Sequence, residues 1–248
     1  MKIVLLVAAI ATLFSSQAAQ AQDAAPTVKP EHEVSFNAAL ASDYRYRGIS
    51  QTRLQPALQG GADYVNNPSG MYAGAWASTI KWTKDAGGGG SVEVDLYAGK
   101  RGALTSDISY DVGVLTYVYP SNGLAVSANT TEIYSQLNYG PAYVKYSHST
   151  TNLFGFANSK NSSYLDIGAN IEIDSGLVLN LHAGRQQVKN NGVSNYTDWK
   201  IGVTKDFGVL SASLAVIGTN AGEVAYASPA NGKFLGKNSV VAMLSKTF

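Results

Sequence analysis

Hydrophobic and polar residues alternate along most of the chain, and this pattern predicts β-strands. From Glu33 to Arg47 the even positions are largely apolar, whereas the odd positions are largely small, polar or charged. A period of two places successive side chains on opposite faces of a strand. We count about twelve such segments, at residues 33–47, 57–65, 71–82, 91–100, 107–118, 130–139, 142–149, 162–173, 176–185, 196–205, 208–218 and 238–248.

The connections between these segments alternate in length. Short ones fall at residues 66–70, 101–106, 140–141, 174–175 and 206–207, and long ones at 48–56, 83–90, 119–129, 150–161, 186–195 and 219–237. Outer-membrane barrels have short periplasmic turns and longer extracellular loops, and an even strand count puts both termini on the periplasmic side. The pattern therefore predicts an all-β fold, a closed antiparallel transmembrane β-barrel of about twelve strands over residues 33–248.

The N-terminus predicts export. Lys2 precedes a short apolar stretch that ends before Ala19-Gln20-Ala21, the pattern of a cleaved signal peptide over residues 1–21. Residues 22–32 contain two prolines without periodicity and are interpreted as a flexible tether. No later segment reaches the length of a membrane-spanning helix, so a membrane location requires a barrel. We expect the cell outer membrane of a Gram-negative bacterium.

Composition narrows the function classes. Charged residues make up only 14% of the chain, against about 25% in soluble domains. Removal of the signal peptide would leave 17 basic and 17 acidic residues, a balance that gives no support for nucleic-acid binding. Cysteine is absent, and His32, His148 and His182 lie far apart without metal-binding spacing. We expect no cofactor and no enzymatic activity. The open alternative is a barrel phospholipase using His148 or His182 with a serine.

The polar face of each strand gives the candidate lumen residues. Asp43, Arg45 and Arg47 alternate with tyrosines and form either a charged constriction or a structural set of mutual ion pairs. The predicted lining leans acidic and so predicts weak cation preference. It comprises Glu33, Asp43, Asp63, Glu93, Asp95, Asp107, Asp111, Glu132, Asp166, Glu172 and Asp198 against Arg45, Arg47, Lys81, Lys145 and Lys200.

Aromatic residues on the apolar faces predict girdles at the membrane boundaries. We assign Tyr44, Tyr46, Trp76, Trp82 and Trp199 to this role. A sugar-stacking track is the alternative use of such rings.

The last strand has an outward face that ends on an aromatic residue. Val240, Ala242, Leu244, Lys246 and Phe248 share this face. A terminal aromatic residue on an alternating strand resembles the signal read by the barrel assembly machinery. The expected partners are therefore the lipid bilayer, that machinery through Phe248, and small solutes.

Several motifs resemble the TorF family of porin-like proteins. The first is residues 41–52, Ala-Ser-Asp-Tyr-Arg-Tyr-Arg-Gly-Ile-Ser-Gln-Thr; residues 72–78, 93–99, 110–113, 131–134 and 195–199 also fit. The resemblance covers nearly the whole chain after the signal peptide. It implies an outer-membrane barrel with a channel role and leaves the solute undefined.

The function expected from the sequence is passive diffusion of small polar solutes or ions through a porin-like channel. The main alternative is a non-conducting outer-membrane barrel that acts through its surface loops as a receptor or adhesin, with residues 219–237 as the longest loop. A soluble periplasmic β-protein is a further alternative.

Overall fold

Twelve antiparallel strands form one closed barrel in the computed structural model, which describes residues 29–248. The predicted signal peptide and residues 22–28 of the predicted tether lie outside this range. The barrel strands are β1 (His32–Ala41), β4 (Ala57–Asn66), β5 (Met71–Thr79), β6 (Val92–Ala103), β7 (Ile108–Val118), β8 (Thr130–Tyr139), β9 (Ala142–Ser149), β10 (Ser163–Asp174), β11 (Leu177–Gln187), β12 (Tyr196–Asp206), β13 (Ser211–Thr219) and β14 (Ser239–Thr247).

Neighbouring barrel strands are consecutive along the chain, and the first strand closes on the last. In this closing pair Asn37 lies opposite Thr247 and Ala41 lies opposite Met243. Closure leaves no exposed strand edge, which satisfies the backbone groups of every barrel strand. The predicted fold class and strand number are confirmed.

The connections create two different ends of the barrel. The short-turn end has residues 67–70, 104–107, 140–141, 175–176 and 207–210; the long-loop end has L1 (42–56), L2 (80–91), L3 (119–129), L4 (150–162), L5 (188–195) and L6 (220–238). The alternation of short and long connections predicted from the sequence is therefore present. L2 contains the short helix α1 (Trp82–Asp85), and L5 contains a 3₁₀ turn (Gly192–Ser194).

Apolar side chains cover the outside of the barrel. On β1 the exposed fractions of Val34, Phe36 and Leu40 are 61%, 56% and 55%. Ile167 on β10 and Ile201 on β12 are 54% and 55% exposed on the same outer surface. Such a surface is the face that a bilayer would cover. Within residues 29–248, no helix has the length and apolar character needed to span a membrane.

The first strand ends six residues earlier than the alternation predicted. β1 ends at Ala41, and L1 then folds into the barrel as a hairpin of β2 (Arg45–Tyr46) and β3 (Ile49–Ser50). Arg47 and Gly48 form its two-residue turn, with φ values of 46° and 78°. Two consecutive positive φ values are typical of a type I′ turn, which reverses the chain tightly. The alternation from 42 to 47 therefore belongs to an inserted loop.

The girdle prediction for Trp76 on β5 is wrong, because its side chain faces the lumen. Tyr72 and Trp76 face the lumen, with exposed fractions of 4% and 8%, while the intervening alanines face outward. The Tyr72 hydroxyl donates to Asp111 at 2.5 Å, a bond that it can make only from inside. Hydrophobicity alone points such aromatic rings outward, whereas a tyrosine can lie inside the barrel when its hydroxyl has a polar partner.

Candidate functional site

The tip of L1 crosses the lumen and contacts the opposite wall. Arg47 Nη2 donates to Glu132 Oε2 on β8, and Nη1 donates to Gln186 Oε1 on β11, both at 2.7 Å. The guanidinium carbon lies 4.8 Å from the ring centre of Tyr46 and 4.2 Å from that of Tyr164. Arg47 is only 6% exposed. One side chain thus joins the inserted hairpin to two separate parts of the wall.

Arg45 holds the base of the same hairpin. Its Nε contacts Asp43 Oδ2 at 2.5 Å, and Nη1 donates to the carbonyls of Gly48, Leu235 and Lys237 at 2.9–3.0 Å. All four of these partners belong to L1 or L6, so the contacts join two loops. Asp43 and Arg45 therefore form the mutual ion pair that was one of the two sequence interpretations, whereas Arg47 reaches across the lumen.

Two predicted girdle tyrosines lie inside the barrel. Tyr44 donates from its hydroxyl to Glu93 Oε1 at 2.6 Å and packs edge-on against Trp76, with ring centres 5.5 Å apart. Tyr46 contacts Tyr117 through the two hydroxyls at 2.5 Å. Burial raises the pKa of Tyr44 well above its usual value and Glu93 raises it further, so Tyr44 stays a donor. The girdle prediction is wrong for both because their strand assignment was wrong.

The three tryptophans have different surroundings. Trp76 faces the lumen, and Trp82 lies in α1, where its ring centre is 5.0 Å from that of Tyr119. Neither can belong to a girdle on the outer face. Trp199 is half-buried and follows the buried, inward-facing Asp198 on β12, so its side chain points outward. The girdle assignment therefore fits only Trp199.

An acidic wall lies beneath the inserted hairpin. Glu93, Asp95, Asp111 and Glu132 project from β6, β7 and β8 and are each 1–2% exposed. Asp111 accepts the Tyr72 hydroxyl, which also contacts Tyr134. Among the described residues, Asp95 Oδ1 and Glu132 Oε1 have no hydrogen-bond partner although both atoms are buried. The wall thus contains carboxylate oxygens that the protein leaves without donors.

Two further predicted lumen residues, Asp63 and Lys145, also face the barrel interior. Asp63 on β4 accepts the Tyr97 hydroxyl at 2.6 Å and is half-buried. Lys145 on β9 is also half-buried, with its Nζ 4.1 Å from the ring centre of Tyr134.

A second polar network lies on β10, β11 and β12. His182 bridges two aspartates, with Nδ1 2.7 Å from Asp166 Oδ1 and Nε2 2.7 Å from Asp198 Oδ2. Tyr164 donates to Asp198 Oδ1 at 2.9 Å. Next to this network is a cavity of about 30 Å³, also bordered by Lys200. That volume holds about two water molecules, because one needs roughly 10–15 Å³ of this measure.

From the sequence, His182 was considered only for a phospholipase site and was not connected with Asp166 or Asp198. Asp166, His182 and Asp198 belong to three neighbouring strands, and His182 is directly opposite Gly168 and Lys200. Each aspartate is therefore a diagonal neighbour of the histidine on the inner face. The three strands' polar faces were visible in the sequence, but their relative register was not.

Some predicted lumen residues lie outside the lumen. Asp107 is exposed in a short turn, and Lys81 precedes α1 in L2, where it contacts Gln55. These two assignments are wrong because the strands are shorter there than predicted. Glu33 and Glu172 lie exposed toward the short-turn end of their strands.

The histidine positions bear on the enzyme alternative. His182 is directed inward, whereas His148 faces outward beside Ser163 of the next strand. His148 Nε2 lies 3.2 Å from Asn161 Oδ1, and Ser163 Oγ contacts Gln187 at 3.5 Å. Within the described chain we find no Ser163–His148 hydrogen bond and no group of three or more His, Cys, Asp or Glu side chains arranged to hold a metal ion.

The sequence matches a known protein family over most of its length. Residues 24–248 match the family model described as "Bacterial protein of unknown function (Gcw_chp)". The chain belongs to the Gcw_chp family. No curated protein sequence matches this family member. The TorF name is therefore not the one that the family model carries.

Solved structures similar to this Gcw_chp protein include outer-membrane porins. "KdgM porin" has a TM-score of 0.55 at 6% identity, covering 87% of this chain and 97% of that chain. "KdgM porin in complex with disordered oligogalacturonate" has a TM-score of 0.54 with the same identity and coverage. A membrane protein from a study of in-meso crystallization has a TM-score of 0.52 at 10% identity, covering 87% and 83%. At these identities the similarity concerns the fold.

Proposed function

We propose that the protein is an outer-membrane channel through which small polar solutes or ions diffuse. The observation that carries this proposal is the chemistry of the barrel interior. Charged and hydrogen-bonding side chains line it, among them the buried Glu93 beneath L1 and the half-buried Asp63 on β4. A barrel that served only as a scaffold has no need for buried charges, whose desolvation is costly.

The inserted L1 hairpin narrows this path at the long-loop end. Its tip is held to the wall by hydrogen bonds from Arg47 to Glu132 and Gln186. Water can replace such bonds when the hairpin moves, so the plug is compatible with reversible opening. We therefore propose that L1 sets the size limit and that passage requires displacement of its tip.

The charge of the lining limits the solutes. One similar porin was solved with oligogalacturonate, an acidic oligosaccharide. For this chain we propose neutral or cationic small solutes instead, because Glu93, Asp95 and Asp111 form an acidic wall that repels polyanions.

We further propose the orientation and biogenesis that an outer-membrane channel requires. The long loops L1–L6 would face outward and the short turns the periplasm. Residues 1–21 would be cleaved as a signal peptide, and the exposed terminal Phe248 would be read by the barrel assembly machinery. Phe248→Ala should lower the yield of folded barrel in the outer membrane, measured against Phe207→Ala, which removes an exposed aromatic residue from a short turn. The TorF assignment remains a hypothesis based on residues 41–52.

The alternative is a non-conducting barrel that acts through its surface loops as a receptor or adhesin. Its longest loop, L6, is joined to the inserted loop L1 by hydrogen bonds from Arg45 to two L6 carbonyls. This link to the loop that enters the lumen favours the channel proposal over an independent binding loop.

Conductance tests the proposal directly. Protein extracted from the membrane in detergent is added to a planar bilayer, and current is recorded across a KCl gradient. We expect small discrete conductance steps with K⁺ preferred over Cl⁻. A sample with heat-modifiable migration, and hence a folded barrel, that never conducts even when the L1 tip is destabilised would refute the channel.

A further inference from the structure

Two neighbouring carboxylates lie on the inner face of β6 directly below the L1 hairpin. Glu93 and Asp95 are separated by one residue, so their side chains project from the same face about 7 Å apart along the strand. Their exposed fractions are 1% and 2%. Both are therefore removed from bulk water inside the lumen.

Glu93 and Asp95 lack a basic partner. No ion pair within 4 Å joins either carboxylate to a lysine, arginine or histidine of residues 29–248. The nearby Glu132 differs, because Arg47 neutralises it at 2.7 Å. Asp95 Oδ1 is buried without any hydrogen-bond partner among the same residues. Negative charge at this position is therefore not compensated by the described protein.

A buried carboxylate without compensation is strongly unfavourable, so it must bind either a proton or a cation. One contact favours the ionised form of Glu93 and offsets part of the cost of burial, because the Tyr44 hydroxyl donates a hydrogen bond to Glu93 Oε1 at 2.6 Å. The same site offers only oxygen ligands, which suit hard alkali and alkaline-earth cations. Divalent cations usually bind to more oxygen ligands than two carboxylates provide, so a monovalent cation fits better. The weak binding expected of such a site is also what conduction requires.

We propose that Glu93 and Asp95 bind one partly hydrated monovalent cation, Na⁺ or K⁺, beneath the L1 hairpin. The unpartnered Asp95 Oδ1 supplies one ligand, and the Glu93 carboxylate, which the Tyr44 and Tyr119 hydroxyls also contact, supplies the other. This inference rests on the proposed channel function, because it makes the pair a binding station along the path. The cation neutralises Glu93 and Asp95 in the way that Arg47 neutralises Glu132.

Binding is tested first without any current. The ²³Na resonance is recorded with the full-length exported protein in detergent, and K⁺ is then added as a competitor. We expect excess line broadening that K⁺ removes, loss of that broadening in Asp95→Asn, and its retention in Asp107→Asn. Asp107 is the matched control because it is exposed in a short turn. Heat-modifiable migration verifies that each variant is folded, and Glu93→Gln provides a second variant.

Equal broadening in the wild type and Asp95→Asn overturns the proposal. So does an infrared carboxylic-acid band in the wild type that disappears in Asp95→Asn, because the charge is then neutralised by a proton. Reversal potentials in a KCl gradient separate the site from the channel: we expect a smaller K⁺ preference for Asp95→Asn than for Asp107→Asn. Cation binding without conductance supports the site and refutes the channel, whereas conductance with unchanged selectivity and no ²³Na effect refutes the site alone.

Discussion

Replacing Gly48 with alanine should release the L1 hairpin from the lumen. Gly48 has a φ of 78° and lies where the hairpin tip meets the wall. A methyl group there would overlap Thr219 Cγ2 and lie 2.8 Å from Asp198 Cβ. Asp198 Cβ is fixed to the β12 backbone, and Thr219 can turn its methyl group away only by breaking the hydrogen bond from its Oγ1 to the Gly236 carbonyl. The substitution therefore penalises the docked hairpin far more than a displaced one.

The size of the effect follows from two contributions. An alanine at this φ costs about 1–2 kcal/mol relative to glycine, and overpacking against the wall costs about 1–3 kcal/mol. Together they lower the docking free energy by roughly 2–5 kcal/mol. Since about 1.4 kcal/mol changes an equilibrium tenfold, the displaced population should rise by about 30-fold to a few thousand-fold.

Conductance and trypsin cleavage measure this population. Arg45 and Arg47 are 7% and 6% exposed, so the docked hairpin should resist cleavage after them. We expect Gly48→Ala to open more often in bilayers and to be cut faster in L1. Gly87→Ala in L2 is the control, because its φ of 91° gives similar strain while no atom lies within 4 Å of the added carbon. Wild-type conductance and wild-type resistance to trypsin in folded Gly48→Ala would refute the reasoning.

Three other substitutions test separate parts of the structure. Arg47→Gln leaves Glu132 buried without its cation and should weaken docking by about 3–5 kcal/mol, seen as more frequent openings than in Arg185→Gln, whose arginine is exposed. His182→Gln should lower the free energy of unfolding in urea by about 3–5 kcal/mol, because it removes the histidine that bridges the buried Asp166 and Asp198. His148→Gln on the outer face should change this free energy little. Ile167→Arg should destabilise the barrel in vesicles by about 2–4 kcal/mol, and an equal loss in Asn170→Arg, on the inner face, would contradict the assignment of faces.

The barrel was predictable because strands with one apolar and one polar face produce a sequence pattern with a period of two. On β6, Val92, Val94 and Leu96 alternate with Glu93 and Asp95, and the structure places the first set outside and the second inside. The long and short connections were equally visible. The thickness of the bilayer's hydrocarbon core fixes the strand length, so the remaining residues between strands can be recognised as connections. These features depend on local sequence alone.

The site was less predictable because its contacts join distant residues. The alternation through Arg47 could not reveal that Gly48 permits a tight turn and sends the tip inward. The inward position of Tyr72 was not predictable, because Asp111, the partner of its hydroxyl, lies 39 residues away. The network around His182 was not predictable for a related reason, since only strand register brings Asp166 and Asp198 to its two nitrogens.

The different contacts of the two hairpin arginines indicate how the lumen opens. Arg45 bonds to L1 and L6, so its contacts can persist while the tip moves. Arg47 bonds only across the lumen, so every displacement of the tip breaks its contacts with Glu132 and Gln186. We therefore expect trypsin to cut after Arg47 well before Arg45 in Gly48→Ala. Equal cleavage rates would mean that the whole loop leaves the barrel. Preferential cleavage after Arg47 would mean that the path opens between the hairpin tip and the wall that carries Glu132.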